Sequence, residues 1–519
     1  MQRTMLFATT LAAGVLAAGL ALAQTPKSGG TVNVVIQPEP PGLMLGLIQN
    51  GPTQMVAGNI YESLLRYDEK LQPQPSLAES WTVSDDGTVY TFKLHDNVKW
   101  HDGEPFSADD VVFSVDKFLR QTNARLRVSL EHVAKIEALD KDTVRFTLKQ
   151  PFGPFLGIFE GGTMPIVPKH IYEGTDYKTN PANNTPIGTG PFKFDKWEKG
   201  SYIHLVKNQD YYLEGKPYID EIYWHVIPDA ASRAVAFETG KVDVLPGGSV
   251  ENFDVPRLTG LPNTCVTEKG WEYFSPLAWL WLNNREGPLA KKEVRQAVMY
   301  ALDRDFGKEV IWNGFGAVPT GPMTSALRFY TDDVKKYPHD VDKAKALLKE
   351  AGYDGTPIRL LPLPYGETWR RWAEATRQNL IDAGFNVEMQ ATDVPGWNQK
   401  LADWDYDMAF TYLYQYGDPA LGVARSYLST NIAKGSQWNN VEGYSNPRVD
   451  ELFEKGATAF PDSKRQEIYT EVQQQLVEDV PVAWLLELKF PTIMSCDVKD
   501  LITTAIGVND GFRDAWLDR

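Results

Sequence analysis

Cysteine is almost missing from this chain of 519 residues: there are two, Cys265 and Cys496, and neither sits in a C-x-x-C motif. A disulfide-stapled small scaffold and a thiol redox centre are thereby excluded. Histidine is nearly as scarce, with seven residues at 95, 101, 132, 170, 204, 225 and 339, and none has the spacing of a zinc site. Positive charge is in deficit. Against 68 acidic residues stand 52 basic ones, and the net charge of −16 repels both a phosphate backbone and an anionic lipid surface, so nucleic acid is excluded as a partner. No apolar run after residue 22 is long enough to span a bilayer, and no low-complexity tract or fixed-period repeat interrupts the chain.

What is present describes a large folded protein. The length predicts about three domain-sized units at roughly 150 residues each, and 43% hydrophobic with 23% charged residues is an ordinary globular balance. Aromatic residues reach 12%, with 15 Trp. Most such rings belong to cores, and the excess hints at stacking surfaces for a ligand.

Residues 1–23 have the layout of a cleaved secretory signal: Arg3 supplies a positive start, residues 5–22 are uncharged and largely apolar, and Ala21-Leu22-Ala23 offers a small-residue cleavage site. A membrane anchor is the alternative reading of those residues. No Cys follows the run, so no lipid anchor is expected, and removal of Arg3 with the leader takes the net charge to −17. The expected location is the periplasm, free of the membrane. That compartment is oxidising enough for Cys265 and Cys496 to pair, with two buried free thiols as the alternative.

Periodicity predicts a mixed α/β chain. Residues 31–37 read as a strand ending at Pro38, and 53–65 as a helix. Tyr90, Phe92 and Leu94, and again Val144, Phe146 and Leu148, alternate at period two behind Asp-containing turns, which is the pattern of hairpin strands. Ser107 and Asp110 resemble a capping box opening an amphipathic helix through Val111, Val115 and Phe118. Further strands are expected at 202–206 and 219–227, a short helix at 230–239, helices at 291–302, 340–351, 368–383 and 463–478, and an apolar run at 480–488. Asn446-Pro447 marks a helix start.

An exported carbohydrate-active hydrolase is the competing class, and its motifs are absent. There is no G-x-S-x-G elbow, no H-E-x-x-H helix and no phosphate loop. Gly188-Thr189-Gly190 is followed by Pro191 and reads as a tight turn, as does His101-Asp102-Gly103. Carboxylate groups such as Asp403, Asp405 and Asp407 carry no information about glycosidase chemistry without geometry.

Several stretches together resemble one family, the extracellular solute-binding proteins of peptide, opine and nickel ABC importers (family 5). They are residues 81–115 (WTVSDDGTVYTFKLHDNVKWHDGEPFSADDVVFSV), 186–194 (PIGTGPFKF), 294–304 (VRQAVMYALDR), 341–353 (VDKAKALLKEAGY), Tyr406-Asp407-Met408, Gly417-Asp418-Pro419 and 444–450 (YSNPRVD). The resemblance implies a two-lobed α/β clamp with a small α/β domain inserted in the first lobe. It places lobe I at 24–65, 199–279 and 491–519, the insertion at 66–198 and lobe II at 280–490. It also implies a monomer that needs no cofactor and no catalytic group, captures a small solute and delivers it to an ABC permease with its ATPase subunits. Cys265 and Cys496 fall where the family's lobe-crossing segments run.

The resemblance further bears on the ligand. Peptide receptors of the family hold the peptide's amino group with an Asp three residues before the Asp of the Asp-Pro pair, where this chain has Gln415 before Asp418. Dipeptide receptors hold the carboxylate with an Arg two residues before a Tyr, where this chain has Leu363 before Tyr365. A neutral amide cannot give a desolvated ammonium its charge-assisted bond, unless neighbours such as Arg370 or Asp418 substitute. The family's ring positions are retained as Tyr365, Trp397 and Tyr412. The site residues so implied are Tyr365, Trp397, Tyr412, Gln415 and Asp418. The ligand expected is an opine, a sugar-like solute or a modified peptide in preference to a simple zwitterionic dipeptide; an ordinary di- or oligopeptide is the alternative. Sparse histidine weighs against a nickel chelate. Trp279, Trp281 and Trp404 could be core or ligand contacts.

Overall fold

The computed structural model describes residues 25–436 and 438–519, so the expected signal segment lies outside the described residues. Two large sheets organise the rest. A seven-stranded sheet has Thr31–Ile36 near its centre, parallel to Glu221–Val226 and to Val244–Leu245. Antiparallel strands extend it through Tyr202–Lys207 and Phe192–Glu198 on one side and through Thr492–Ser495 and Thr264–Thr267 on the other. A five-stranded sheet runs Val387–Met389, Ile358–Leu361, Met408–Leu413, Leu277–Leu282, Val482–Glu487. Leu277–Leu282 and Val482–Glu487 are buried at every position, the mark of strands covered on both faces. Among the described residues the two sheets carry separate large apolar clusters. The chain therefore folds as two lobes.

A third, four-stranded antiparallel sheet (Ala78–Val83, Val89–Leu94, Thr143–Leu148, Val133–Asp140) sits on the first lobe and shares its core. Its inner strands alternate buried and half-buried residues, as the period-two pattern required. Phe92 and Phe146 meet Phe155 and Phe159 in a tilted and edge-on aromatic cluster. The Ser107 amide donates to the Asp110 carboxylate at 2.9 Å, and the helix begun at Ala108–Val112 continues as wider π-helical turns over Phe113–Leu119.

Two sequence expectations are corrected. The helix read at 53–65 covers only Gly51–Ala57, because the carbonyls of Asn59 and Ile60 accept from Phe192 and Gly190 of a distant loop and cannot continue a helical ladder. The strand Phe192–Glu198, read as part of the insertion, pairs with Tyr202–Lys207 in the seven-stranded sheet. Trp279 and Trp281 are core residues, at 3% and 0% exposure.

Among the described residues the chain passes between the two large sheets at 268–276 and 488–491, and these two crossings are bonded to each other. Trp271 Nε1 donates to the Phe490 carbonyl at 2.9 Å with their rings 5.1 Å apart, and Leu488 N donates to Pro276 O at 2.8 Å. Just inside lobe I, Cys265 and Cys496 form a disulfide between the strands that feed these crossings, 231 residues apart in sequence.

Lobe I also buries a carboxylate. Glu62 accepts from the hydroxyls of Tyr211 (2.7 Å), Tyr212 (3.1 Å) and Thr189 (3.0 Å), yet burial outweighs these bonds and pushes its pKa up to about 7.

Two tests follow from these features. Denatured, unreduced protein should show no alkylatable thiol, and replacing both cysteines by Ser should lower the unfolding free energy by up to about 5 kcal/mol in the chain-entropy picture. Because the folded pKa of Glu62 is raised, its contribution is full below the unfolded value near 4.5 and is lost as pH rises through about 7. Urea unfolding of wild type and Glu62→Gln at stepped pH should show wild type losing about 3 kcal/mol relative to the variant between pH 4.5 and 7.5. A pH-independent difference would contradict the assignment.

Candidate ligand-binding site

The strand Met408–Leu413 lies in the middle of the five-stranded sheet, between Leu277–Leu282 and Ile358–Leu361. Its chain continues past the sheet edge toward lobe I with the two-residue period intact. Thr411, Leu413 and Gln415 are buried, whereas Tyr412, Tyr414 and Tyr416 are half-buried and line one cleft. The three rings meet edge to face, with centroids 5.9 Å and 6.1 Å apart. Tyr412 stacks on Trp369 of the helix Glu367–Asp382, 5.6 Å away and 14° from parallel. Tyr416 has φ of 52°, in the left-handed region, followed by Gly417 at 71°. Such a backbone costs about 1 kcal/mol or more for a bulky residue, and it turns the third ring out of the strand direction into the cleft.

The opposite part of the wall comes from the segment after Ile358–Leu361 and from a loop near residue 438. Leu363, Tyr365, Trp438 and Arg425 complete a cleft of about 250 Å³. In a chain that buries most of its rings, Tyr365 is 44% and Trp438 is 38% exposed. Burial raises the pKa of Tyr365, Tyr412 and Tyr414, that of Tyr412 to about 12, so all three keep their protons at neutral pH and offer O–H donors.

The residues expected at the site divide into two groups. Tyr365 and Tyr412 line the cleft. Trp397 is fully buried behind it, 6.5 Å from the Tyr365 ring and 5.7 Å from that of Trp438, and supports both. Gln415 is buried with both ends of its amide engaged: Nε2 donates to Pro322 O (2.8 Å) and Oε1 accepts from Thr324 N (3.1 Å). Asp418 is 2% exposed and grips the Arg465 guanidinium with both oxygens, at 2.7 Å and 2.9 Å. Gln415 and Asp418 thus anchor the ring-bearing segment from inside lobe II. Arg370 is tied to Glu367 on an exposed helix face. The sequence reading missed Tyr414, Tyr416, Arg425 and Trp438. The alternation Tyr412, Tyr414, Tyr416 was a usable signal for two of these, and nothing local in the sequence marked Arg425 or Trp438.

The lobes touch beside this site. Gly153 of the inserted subdomain donates its N–H to Ala457 O at 2.8 Å, and a Cβ at Gly153 would lie 2.5 Å from Arg465 Nε. The surface on which lobe I rests is therefore the one that the Asp418–Arg465 pair holds in place.

Removing one member of a buried pair leaves a charge without compensation, at a cost of about 3–5 kcal/mol, whereas replacing both by apolar groups is often far milder. Asp418→Asn should accordingly lower thermal stability more than the double substitution Asp418→Leu with Arg465→Met, as read by calorimetric unfolding. A double variant as unstable as the single one would show that the pair has another role.

Known proteins share this architecture and resemble this sequence over most of its length. Residues 72–434 match the model for bacterial extracellular solute-binding proteins, family 5 Middle. The glutathione-binding protein GsiB of Escherichia coli K12 is 28% identical over 475 residues, which cover 89% of this chain and 89% of that protein. Among solved structures, the periplasmic binding protein DppA from Helicobacter pylori, in complex with the peptide STSA, superposes with a TM-score of 0.80 at 28% identity, covering 95% of this chain and 99% of that one. The binding protein AgaA from A. tumefaciens R10, in complex with agropinic acid, gives 0.78 at 27% identity, covering 94% and 99%. With the two lobes, the paired crossings and a family match over most of its length, this chain belongs to the family 5 bacterial extracellular solute-binding proteins of ABC transporters.

Proposed function

We propose that this protein is exported to the periplasm after loss of residues 1–23, captures a small solute in the cleft walled by Tyr412, Tyr414, Tyr416, Tyr365 and Trp438, and hands it unchanged to an ABC permease and its ATPase subunits. No catalytic step is needed. A receptor works by differential affinity, because a solute that binds the closed clamp better than the open one shifts the population toward closure.

The observation that carries the ligand reading is the chemistry of the wall. Among the described residues lining the cleft there is no carboxylate, Leu363 presents an aliphatic side chain, and the amide of Gln415 is consumed within lobe II. A free α-ammonium placed there would be desolvated without a counter-charge, which costs several kcal/mol, while micromolar binding requires about 8 kcal/mol in total. Flat rings with protonated hydroxyls suit a ligand of amide, hydroxyl and apolar groups. AgaA is solved with agropinic acid, which brings an opine within this family's range, whereas GsiB is named for glutathione, whose γ-glutamyl residue keeps a free α-ammonium and so weighs toward the second reading. An ordinary peptide receptor is the second reading, favoured by the peptide in the complex of DppA.

Isothermal calorimetry separates the two. Unmodified dipeptides such as Ala-Ala and Ala-Phe should show no micromolar affinity. Tyr365→Ala and Trp438→Ala, both at exposed positions, should each weaken the solute that co-purifies with the protein by about 2 kcal/mol, roughly 30-fold. Micromolar binding of free dipeptides would restore the peptide-receptor reading, and unchanged affinity in both variants would remove the cleft as the site.

A further inference from the structure

Two guanidinium groups, one from each lobe, converge on the Tyr416 ring. Arg125, from the inserted subdomain, has its guanidinium carbon 4.0 Å from the ring centroid, and Arg425, on the lobe II wall, has its own at 5.6 Å. Neither has an ion-pair partner among the described residues. Arg425 donates Nε to Gly422 O and Nη2 to Tyr414 O, both at 3.2 Å, and its Nη1 has no acceptor among the described residues. Arg125 donates Nη2 to Thr163 Oγ1 at 3.1 Å, and its Nε and Nη1 have no acceptor among the described residues. Glu160 feels the charge of Arg125, but its oxygens accept from Gly162 N, Thr163 N, Thr163 Oγ1 and Gln54 Nε2 and form no ion pair with it.

Arg125 and Arg425 are half-buried, and arginines buried elsewhere in this protein are treated differently. Arg66 is paired with Asp510 and Asp514, Arg465 with Asp418, and Arg295 spends its donors on four backbone carbonyls. At Arg425 burial lowers the pKa, Tyr416 works in the opposite direction, and the nearby charge of Arg125 adds a smaller lowering. A ring face attracts cations only weakly, by about 0.5–2 kcal/mol, so two guanidinium groups sharing one ring leave donors and charge for a further partner.

We infer that the cleft receives a carboxylate of its ligand beside Tyr416, bridged by Arg425 of lobe II and Arg125 of lobe I. The inference rests on the reading of this cleft as the solute site and adds an anionic group to the solute's description. It occupies positions other than Leu363, and it makes the solute an acid without a free ammonium in the cleft. Because the two donors belong to different lobes, the carboxylate is fully satisfied only when the lobes are together, and the repulsion between the arginines favours separation when it is absent. Ligand charge and closure are thus coupled.

Acetate is a sufficient probe, with acetamide as its neutral counterpart. In arginine side-chain Nε–H spectra of the full chain, acetate should shift the Arg425 and Arg125 signals saturably and acetamide at least about tenfold more weakly, the size of one charge-assisted contact. Arg125→Gln should weaken the acetate response of Arg425 about tenfold, Arg425→Gln should do the same to Arg125, and Arg425→Lys should retain part of it. Equal responses to acetate and acetamide, or an Arg425 response indifferent to Arg125→Gln, would overturn the bridge. Failure of the bridge together with weakened solute binding by Tyr365→Ala would leave the cleft reading standing; a saturable acetate response with unchanged solute affinity in Tyr365→Ala and Trp438→Ala would instead confirm the bridge and refute that reading.

Discussion

A buried guanidinium and the carboxylate that grips it determine where the working surface of this protein lies. Arg465 is at 0% exposure and Asp418 at 2%, and a charge in that environment persists only if paired and hydrogen-bonded. Asp418 ends the ring-bearing segment, Arg465 belongs to the helix Asp462–Asp479, and the inserted subdomain rests on Arg465 through Gly153. One interaction therefore fixes the end of the tyrosine ladder and shapes the surface that lobe I meets. Gln415, bonded at both ends to Pro322 and Thr324, fixes the middle of the same segment. With the backbone held at two points, Tyr414 and Tyr416, beyond the end of the strand Met408–Leu413, can face the cleft without the support of neighbouring strands.

The same economy of connections appears at the crossings. Trp271 and Phe490 bond the two strands of chain that join the lobes, and the Cys265–Cys496 disulfide holds their roots together in lobe I. A pair of short, mutually bonded connections restricts relative motion to bending, the property that a clamp requires. The closing force must then come from groups divided between lobes. Tyr416, approached by Arg125 of lobe I and Arg425 of lobe II, is a contact divided in this way.

Much of the fold was legible because periodicity reports burial. The alternation at Tyr90, Phe92 and Leu94 appears as the strand Val89–Leu94, Asn446 caps the helix Pro447–Thr458 by accepting from Arg448 N, and Asp340 caps Val341–Glu350. The failure at 53–65 came from outside the segment, from hydrogen bonds to residues 190 and 192 that no local pattern encodes. The site was legible in part. Family positions pointed to the segment that forms the wall, but a position in sequence does not say on which side of a strand a residue stands. Gln415 and Asp418 turn inward on the same strand extension from which Tyr412 and Tyr416 turn outward, and Trp397 stands one layer behind Tyr365 and Trp438. Arg425 gains its meaning only from Arg125, 300 residues away in sequence.

The chemistry of the wall is most directly tested by native mass spectrometry of the protein released from its own cell envelope, with the bound solute identified by fragmentation. A single acidic solute that carries no free α-ammonium, such as an opine or an amino-blocked peptide, is the result expected from a cleft with aromatic walls, Arg425 in its lining, Arg125 over the Tyr416 ring beside it, and no carboxylate among its described lining residues. A mixture of unmodified zwitterionic dipeptides would contradict it.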